Sequence, residues 1–428
     1  MQQILAKLRF PFKFVLFGAA VCLALFVAEH INGRFRMNDF KVYYEAVQAF
    51  LHENQVYGIA FGLDTGFYKY SPATLLLFTP YSLFSFETAR ILHFLLLTCC
   101  SIGAVVFLYK LVNNYLFQIK GRNRLLAGVF VCVFIHLFRE LHLGNINIIL
   151  LLLVSGGVYY TLKSKNLRAG WLFAFVIITK PYFLLLLLPL VMHQKKKVLL
   201  HMGLALCLLV LIPSVFIGFA DNIRLHQEWV QSMMAHGSYL VSVNTIEYLV
   251  HDYTDLEPLL YFEVYLFTFL GLIYTLFFLR NRKINLSLEK GTTGFMERSL
   301  VVECFLVIAL IPNLVITDTE HFLLSLPLIV MLAGYIQEKK DYKLLAGFII
   351  IMLFYGGNSS DLLGKHLSRK LDYFGALGIS NLVLLLTTVY YFYIKEISLL
   401  KYPAWSVKLR NSFLPSQLGN FDDKNRLF

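Results

Sequence analysis

Side chains that could carry out acid–base and phosphate chemistry lie at the ends of long apolar runs in this sequence. An early carboxylate, Asp39, follows the first run, and Lys180 interrupts a later run beside a proline. A further turn reads Asp318-Thr319-Glu320-His321. A carboxylate can take a proton from a hydroxyl, while cationic groups stabilise the charge that grows on a leaving phosphate. This mixture suits transfer of a group from a lipid phosphate to a hydroxyl.

The composition places these residues in a membrane protein. Of the 428 residues, 58% are apolar and only 15% are charged, and the mean hydropathy is +0.66. Such values predict an all-α polytopic membrane protein and exclude a soluble domain with one large core. The formal net charge of +12 does not indicate nucleic-acid binding, because most Lys and Arg residues lie in short loops between apolar runs.

The alternation of basic and non-basic loops predicts the topology. Basic residues ahead of the first apolar run place the N-terminus in the cytoplasm. The apolar runs, with both arms of a broken run counted, predict about twelve transmembrane helices and two cytoplasmic termini in a plasma membrane. We therefore expect one integral membrane domain over residues 1–428, with outer loops at 30–90 and 221–257 and a cytoplasmic tail at 397–428.

The broken run extends from residue 169 to residue 194 and is interrupted at Lys180-Pro181. Basic clusters that include Lys163 and Lys196 flank it. One straight helix would place one cluster outside, whereas two short helices that meet at Lys180-Pro181 keep both clusters inside. Lys180 is then either a functional residue in a cavity or a residue whose ammonium group reaches the outer interface.

The first outer loop contains an amphipathic helix that begins near Asn38. Its apolar residues follow helical spacing and are Phe40, Tyr43, Tyr44, Val47, Phe50 and Leu51. We expect Asn38 to be the N-cap and the aromatic face to lie on the membrane surface. Asp39, in the first turn, is either a carboxylate that stabilises the helix end or a catalytic group.

In this topology the unusual polar residues all face the outer side of the membrane. They are Asp39, Arg139, His142, Asn145, Asn147, Lys180, Asn244, Asp318, Glu320 and His321. Each residue alone is a weak signal, because loop ends are normally polar, and the co-location is the stronger observation. Glu320 and Asp318 are alternatives to Asp39 as the base, although Glu320 could instead orient the imidazole of His321.

Short motifs at these positions resemble those of the GT-C superfamily of polytopic glycosyltransferases, and within it glycosyltransferase family 87, whose members use polyprenyl-phosphate mannose. The motifs span residues 13–337 and are Asn38–Tyr44, Phe67–Pro72, His142–Asn147, Lys180-Pro181, Val243–Thr245 and Glu320–Phe322 ahead of Pro327. Two motifs depart from the family pattern. Gly144-Asn145-Ile146-Asn147 stands where relatives often have Gly-Gln-x-Asn, and Asn244-Thr245 stands where they often have Asn-x-Ser. These departures concern the acceptor more than the type of reaction.

The resemblance implies a GT-C-like fold and an inverting glycosyltransferase, with Asp39 as base and with Lys180 and His321 near the donor phosphate. The expected donor is a polyprenyl-phosphate sugar, with mannose as the sugar, and the acceptor is a lipid-linked glycan or another outward-facing hydroxyl. The full set of candidate donor contacts is Arg139, His142, Asn145, Asn147, Lys180, Glu320 and His321. Candidate acceptor-side residues are Tyr44, Tyr70 and Asn244.

No cofactor is expected, and no Asp-x-Asp motif or ligand cluster indicates a metal. Two alternatives stay open at this point. A transporter or flippase of lipid-linked sugars would require charge pairs deep in several spans, whereas here the charges lie at the outer ends and Glu303 is the main exception. A lipid-linked glycan polymerase or ligase would favour outer loops rich in arginine, of which this chain has Arg34, Arg36, Arg139, Arg224 and Arg369.

Overall fold

The structure, a computed structural model, describes most of the chain as helices. The described residues are 12–52, 55–61, 66–119, 121–236, 243–254, 270–271, 273–275, 277–282, 294–315, 318–357 and 360–395. Among these residues the regular secondary structure is helical, and β-pairing is confined to one isolated bridge between Ala60 and Phe67. The predicted all-α class is therefore confirmed.

The α-helices with described bounds are between four and thirty residues long. They are α1 (Phe12–Ile31), α2 (Asn38–Leu51), α3 (Pro72–Phe78), α4 (Phe86–Tyr115), α5 (Arg122–Cys132), α6 (Phe134–Leu143), α7 (Asn147–Leu162), α8 (Asn166–Thr179), α9 (Leu187–Met192), α10 (Lys196–Leu211), α11 (Ser214–Ile217), α12 (Phe219–His236), α13 (Ile246–Tyr253), α14 (Phe295–Leu314), α15 (Leu326–Lys339), α16 (Tyr342–Gly356), α17 (Ser360–Tyr373) and α18 (Ala376–Val389). 3₁₀-helical segments cover Thr79–Leu83, Pro181–Leu186 and Thr319–Ser325, and a π-helical segment covers Tyr390–Lys395.

Several of these helices have the length and composition of membrane spans. Five stretches of the described residues are long and apolar enough to cross a membrane, and the bent pair α5–α6 is a sixth if it is one span. The five are Phe12–Ile31, Phe86–Tyr115, Lys196–Ile217, Thr319–Lys339 and Ala376–Lys395. Other apolar helices are shorter, among them α7, α8 and α16.

Parts of the predicted topology stay predictions. The count of about twelve transmembrane helices is not confirmed, and the division of residues 1–428 into one domain with named loops is not tested. The apolar run at 259–279 lies largely outside the described residues. Residues 237–242 and 255–257 of the second outer loop and the tail at 397–428 also lie outside them.

The apolar run at residues 125–138 does not form one straight helix. α5 and α6 meet at Val133 with a bend of 64°. α16 packs closely here: a Cβ atom on Gly356 would lie 2.4 Å from the carbonyl oxygen of Cys132, and His136 Nε2 lies 2.8 Å from the carbonyl oxygen of Tyr355. The bend therefore depends on contacts with a helix more than two hundred residues away in the sequence.

α2 begins at Asn38, but its cap and its surroundings differ from the prediction. The N-cap is Met37, in the left-handed region with φ 49°, and its side chain makes no capping hydrogen bond. The expectation that Asn38 is the N-cap is therefore wrong. α2 packs against α3, α4 and α6 and buries Val42 and Ala46 as well as Phe40. Protein covers this face, and the predicted position on the membrane surface is not confirmed.

The predicted break at Lys180-Pro181 is confirmed. α8 ends at Thr179, Lys180 is extended, and a 3₁₀ segment starts at Pro181. α8 and α10 pack together near their starts, where a Cβ atom on Gly170 would lie 2.7 Å from the Cβ of His201. Both helices therefore start at the same end of the bundle.

We predict that cysteines placed at Lys163 and Lys196 are reached by labelling reagents from the same side, the cytoplasm, because the basic clusters share one end of the bundle. A membrane-impermeant maleimide applied to intact cells, with the six native cysteines replaced, should label neither position until the membrane is opened. Lys365→Cys, in the exposed segment between α16 and α18, is the outer-side control and should be labelled directly. Labelling of the two lysine positions from opposite sides would contradict the two-arm arrangement.

Candidate active site

The turn between α6 and α7 brings polar side chains to the start of α2. Gly144, in this turn, has φ 74°, and a Cβ atom there would lie 2.7 Å from Phe40 Cβ. Glycine is therefore required both for the backbone conformation and for the close contact with α2. The contact places Asn145 beside Asp39, so that Asn145 Nδ2 donates a 2.9 Å hydrogen bond to Asp39 Oδ2.

The amide of Asn145 is oriented by further partners. Its Oδ1 accepts a hydrogen bond from the backbone N–H of Ile146 at 2.8 Å and another from the hydroxyl of Tyr70 at 3.4 Å. The Tyr70 hydroxyl is itself 2.9 Å from the hydroxyl of Tyr43. Since Oδ1 faces these donors, Nδ2 must face Asp39. The carboxylate of Asp39 is therefore held in one orientation.

Asp39 is half-buried, and its surroundings change its acidity. Burial raises the pKa of the carboxyl group to about 6, and the Asp318 carboxylate also raises this pKa. The Lys180 ammonium, the hydrogen bond from Asn145 and the Lys69 ammonium act in the opposite direction. Asp39 is therefore ionised at neutral pH and still able to take up a proton, as a general base requires.

Lys180 lies inside the protein and not at an interface. Its ammonium group is buried, donates a 2.6 Å hydrogen bond to Asn147 Oδ1 and lies 2.9 Å from His321 Nε2. The rings of Tyr70 and Tyr182 lie 5.5 and 5.9 Å from Nζ. A charged ammonium only donates, so His321 Nε2 accepts and the proton of the neutral imidazole is on Nδ1. The alternative that the ammonium group of Lys180 reaches the outer membrane interface does not fit this geometry.

Glu140 links Asn147 to α6 and was not among the site residues predicted from the sequence. Its buried carboxylate accepts hydrogen bonds from Asn147 Nδ2 and from the backbone N–H of Ile148, each at 2.9 Å. Asn147 can then present only its Oδ1 to Lys180. The signal was available in the sequence, because Glu140 follows His136 by four residues and Leu137 by three and so shares their buried helix face.

Glu320 and His321 enter the same network from the 3₁₀ segment Thr319–Ser325. The fully buried Glu320 accepts a 2.9 Å hydrogen bond from Arg139 Nε, and its other oxygen lies 3.8 Å from His321 Nδ1. The contact with Arg139 holds the carboxyl group of Glu320 beside the imidazole of His321, so that Glu320 can orient this ring. The geometry thus gives Glu320 a role beside His321 and leaves Asp39 as the carboxylate at the other end of the network.

Tyr70 contacts both parts of this arrangement. Its hydroxyl reaches Asn145, which holds Asp39, and its ring lies beside the ammonium of Lys180. Tyr70 therefore links the amide that holds Asp39 to the surroundings of the Lys180 ammonium. The arrangement has the parts needed to remove a proton at one position and to stabilise a phosphate at another.

Three predicted site residues lie outside this network and anchor neighbouring elements. His142 Nδ1 lies 2.6 Å from Glu29 Oε1 on α1, and the Tyr44 hydroxyl donates to the carbonyl oxygen of Phe84 at 2.9 Å. Asn244 Oδ1 accepts a 3.0 Å hydrogen bond from the backbone N–H of Gly378. Their predicted roles at the donor or acceptor remain untested.

We predict that Glu140→Gln lowers the free energy of unfolding by about 1–3 kcal/mol, because the new amide cannot accept both hydrogen bonds and leaves a buried donor unsatisfied. Thermal unfolding of the purified protein in detergent should show a lower transition temperature. Glu45→Gln is the control, because Glu45 forms a surface ion pair with Lys41 one turn away on α2. Equal transition temperatures for the Glu140 variant and the native chain would contradict this account of Glu140.

Comparison with known proteins identifies a family. The sequence matches the model of glycosyltransferase family 87 over residues 67–332. A search among curated proteins gave no match. The matched region contains Tyr70, Asn145, Lys180 and His321 and begins after Asp39, so the position of Asp39 in the site rests on the structure. A match over more than half of the chain identifies the protein as a member of glycosyltransferase family 87.

Proposed function

We propose that this glycosyltransferase is an inverting enzyme that moves a hexose, with mannose the expected sugar, from a polyprenyl phosphate to an acceptor hydroxyl. The observation that carries the proposal is the position of Tyr70 between the Asn145–Asp39 pair and the Lys180–His321 pair. It supports a single reaction centre with a base at one side and a phosphate site at the other.

In the proposed reaction, Asp39 takes the proton of the acceptor hydroxyl while the acceptor oxygen forms a bond to the anomeric carbon. The bond between that carbon and the phosphate oxygen breaks, and its electron pair stays on the phosphate. Attack opposite the leaving phosphate inverts the anomeric configuration in one step. The position of Asp39 at the N-terminal end of α2 helps to keep the carboxylate ionised before the acceptor binds.

Lys180 and His321 would bind the departing lipid phosphate. An ammonium in a partly dehydrated cavity stabilises a growing negative charge more strongly than water does. The contacts of Lys180 with Asn147 and of Asn147 with Glu140 fix the ammonium before the donor arrives. Little reorganisation is then needed when the charge develops.

The membrane topology, the location and the acceptor of the enzyme are also part of the proposal. The fold would contain about twelve transmembrane helices in a plasma membrane, with both termini in the cytoplasm and the site at the outer side. The acceptor would be a lipid-linked glycan or another outward-facing hydroxyl. Membership of a glycosyltransferase family supports this function over a transporter or flippase. A polymerase or ligase would use a pyrophosphate donor and would need arginines to bind it. Arg139, one of the few outer arginines, is already paired with Glu320, which weakens this alternative.

The test is an assay of the purified protein with a panel of polyprenyl-phosphate sugars and with nucleotide sugars as alternative donors. Mass spectrometry of the lipid and glycan products should show transfer from the lipid phosphates, with mannose preferred. NMR of the product should show the anomeric configuration opposite to that of the donor. Transfer from nucleotide sugars alone, or retention of configuration, would overturn the proposal.

We predict that Asp39→Asn abolishes transfer while donor binding and folding persist, because the amide keeps the shape but cannot accept the proton. The loss should be about 10²–10⁴-fold in the rate of transfer, as is usual for a missing general base. Single-turnover assays with bound donor provide the measurement. If Glu320→Gln were inactive while Asp39→Asn turned over normally, the base would be Glu320.

The pH dependence is a second check on Asp39. Only the deprotonated carboxylate acts as a base, and its raised pKa is about 6. The rate of the native enzyme should therefore be constant above that pH and fall about tenfold for each unit below it. A rate that did not change between pH 7 and pH 5 would contradict the role of Asp39.

We predict that Lys180→Met and His321→Ala each lower the transfer rate by about 10²–10³-fold, the usual cost of one missing donor to a developing negative charge. Methionine retains most of the length of lysine without its charge. Lys163→Met, at an exposed position at the other end of the bundle, should be fully active and is the control. Near-native rates for both site variants would remove Lys180 and His321 from the phosphate site.

A further inference from the structure

A second group of cations lies at the same end of the bundle as the candidate active site. α17 connects α16 to α18, and Gly378, near the start of α18, binds Asn244 and Asn313. Asn313 lies close in sequence to Asp318 and the 3₁₀ segment that carries Glu320. α17 is therefore at the end where the polar network of the active site lies.

The cations of α17 share one face of the helix. α17 is kinked at Gly364, and the turns that follow carry three cations, Lys365, Arg369 and Lys370, together with His366. The spacing of one, four and five residues places these side chains together. All are exposed, and with Tyr373 and Phe374 they line a groove of about 530 Å³. We call these six residues the basic groove.

Exposed apolar side chains lie directly beside these cations. Leu363, Leu367, Tyr373 and Phe374 are each more than a third exposed, although they belong to a short helix at the end of a membrane bundle. A helix with cations on one face and exposed apolar groups on another is typical of a helix at the membrane interface. The cations would then meet lipid head groups while the apolar groups contact acyl chains.

The groove is preformed by packing at its C-terminal side. The Tyr253 hydroxyl donates a 3.0 Å hydrogen bond to the carbonyl oxygen of Phe374. Gly375 has φ 60°, and a Cβ atom there would lie 2.5 Å from the carbonyl oxygen of Val243. The segment 243–254 therefore holds the end of the groove against the bundle.

The positive charge of the groove is an exception to the distribution of Lys and Arg along the chain. Lys and Arg residues concentrate at the opposite end, near Lys163, Lys196 and Lys340, as expected for cytoplasmic loops. A cluster of cations at the other end has no such explanation from topology. Negatively charged head groups in the adjoining leaflet would compensate it.

We propose that the basic groove binds the phosphate head group of an anionic phospholipid in the leaflet at this end of the bundle. The lipid phosphate lies among Lys365, Arg369 and Lys370, and its acyl chains lie beside Leu367 and Phe374. The proposal uses none of the residues assigned to transfer and stands independently of the proposed donor and acceptor.

Native mass spectrometry of the full-length chain in detergent, titrated with phosphatidylglycerol or with phosphatidylcholine, tests the proposal. The native chain should bind phosphatidylglycerol more tightly. The variant Lys365→Gln/Arg369→Gln/Lys370→Gln should bind it about 100-fold more weakly, since each cation near an anionic lipid surface contributes about fivefold in affinity. Binding of phosphatidylcholine should not change.

Lys339→Gln/Lys340→Gln/Lys343→Gln is the matched control, because it removes the same charge from exposed positions at the opposite end. It should retain the native affinity for phosphatidylglycerol. Equal losses in the two triple variants, or native affinity in the groove variant, would overturn the proposal. Displacement of the bound lipid by millimolar glycerol phosphate would identify a site for free phosphate and overturn the lipid assignment. Unchanged thermal unfolding of the groove variant shows that the fold is intact.

Discussion

The buried ammonium group of Lys180 is the constraint on which the arrangement of the active site depends. A charge removed from water is costly unless it is paired and hydrogen-bonded. Here the compensation comes from Asn147, from His321 and from the rings of Tyr70 and Tyr182. These groups belong to different parts of the chain, so the charge is stable only when all those parts are assembled. The polar network is therefore also a condition for the fold at this end of the bundle.

A second charged side chain, the carboxylate of Glu303, is also buried in the bundle and hydrogen-bonded. Glu303 is buried in α14, where His193 Nε2 lies 3.0 Å away and Ser299 donates a 2.8 Å hydrogen bond. Arg280 contributes a more distant contact at 3.8 Å. Both carboxylate oxygens thus have partners, one from Ser299 within α14 and the other from His193 and Arg280 outside it. By contrast, the network around Lys180 reaches Asp39, a half-buried carboxylate that can meet a substrate.

The sequence predicts the features of this fold that local chemistry controls. The break at Lys180-Pro181 could be recognised because proline cannot continue a helix and because basic clusters flank both arms. The bend at Val133 could not, since no proline or glycine lies there and its causes are on α16. Glu140 was missed because a carboxylate close to an arginine and a histidine resembles a solvated helix end. Its helical spacing from His136 and Leu137, which places it on their buried face, was the signal that pointed the other way.

Asn145 lies in the turn after α6, and Asn147, two residues later, begins α7. The first holds the proposed base and the second holds the proposed phosphate ligand. The distance between the proposed base and the proposed phosphate ligand therefore depends on one short stretch of backbone. A shift of this short stretch would therefore move the supports of the proposed base and of the proposed phosphate ligand together, so that the separation of the two groups is preserved.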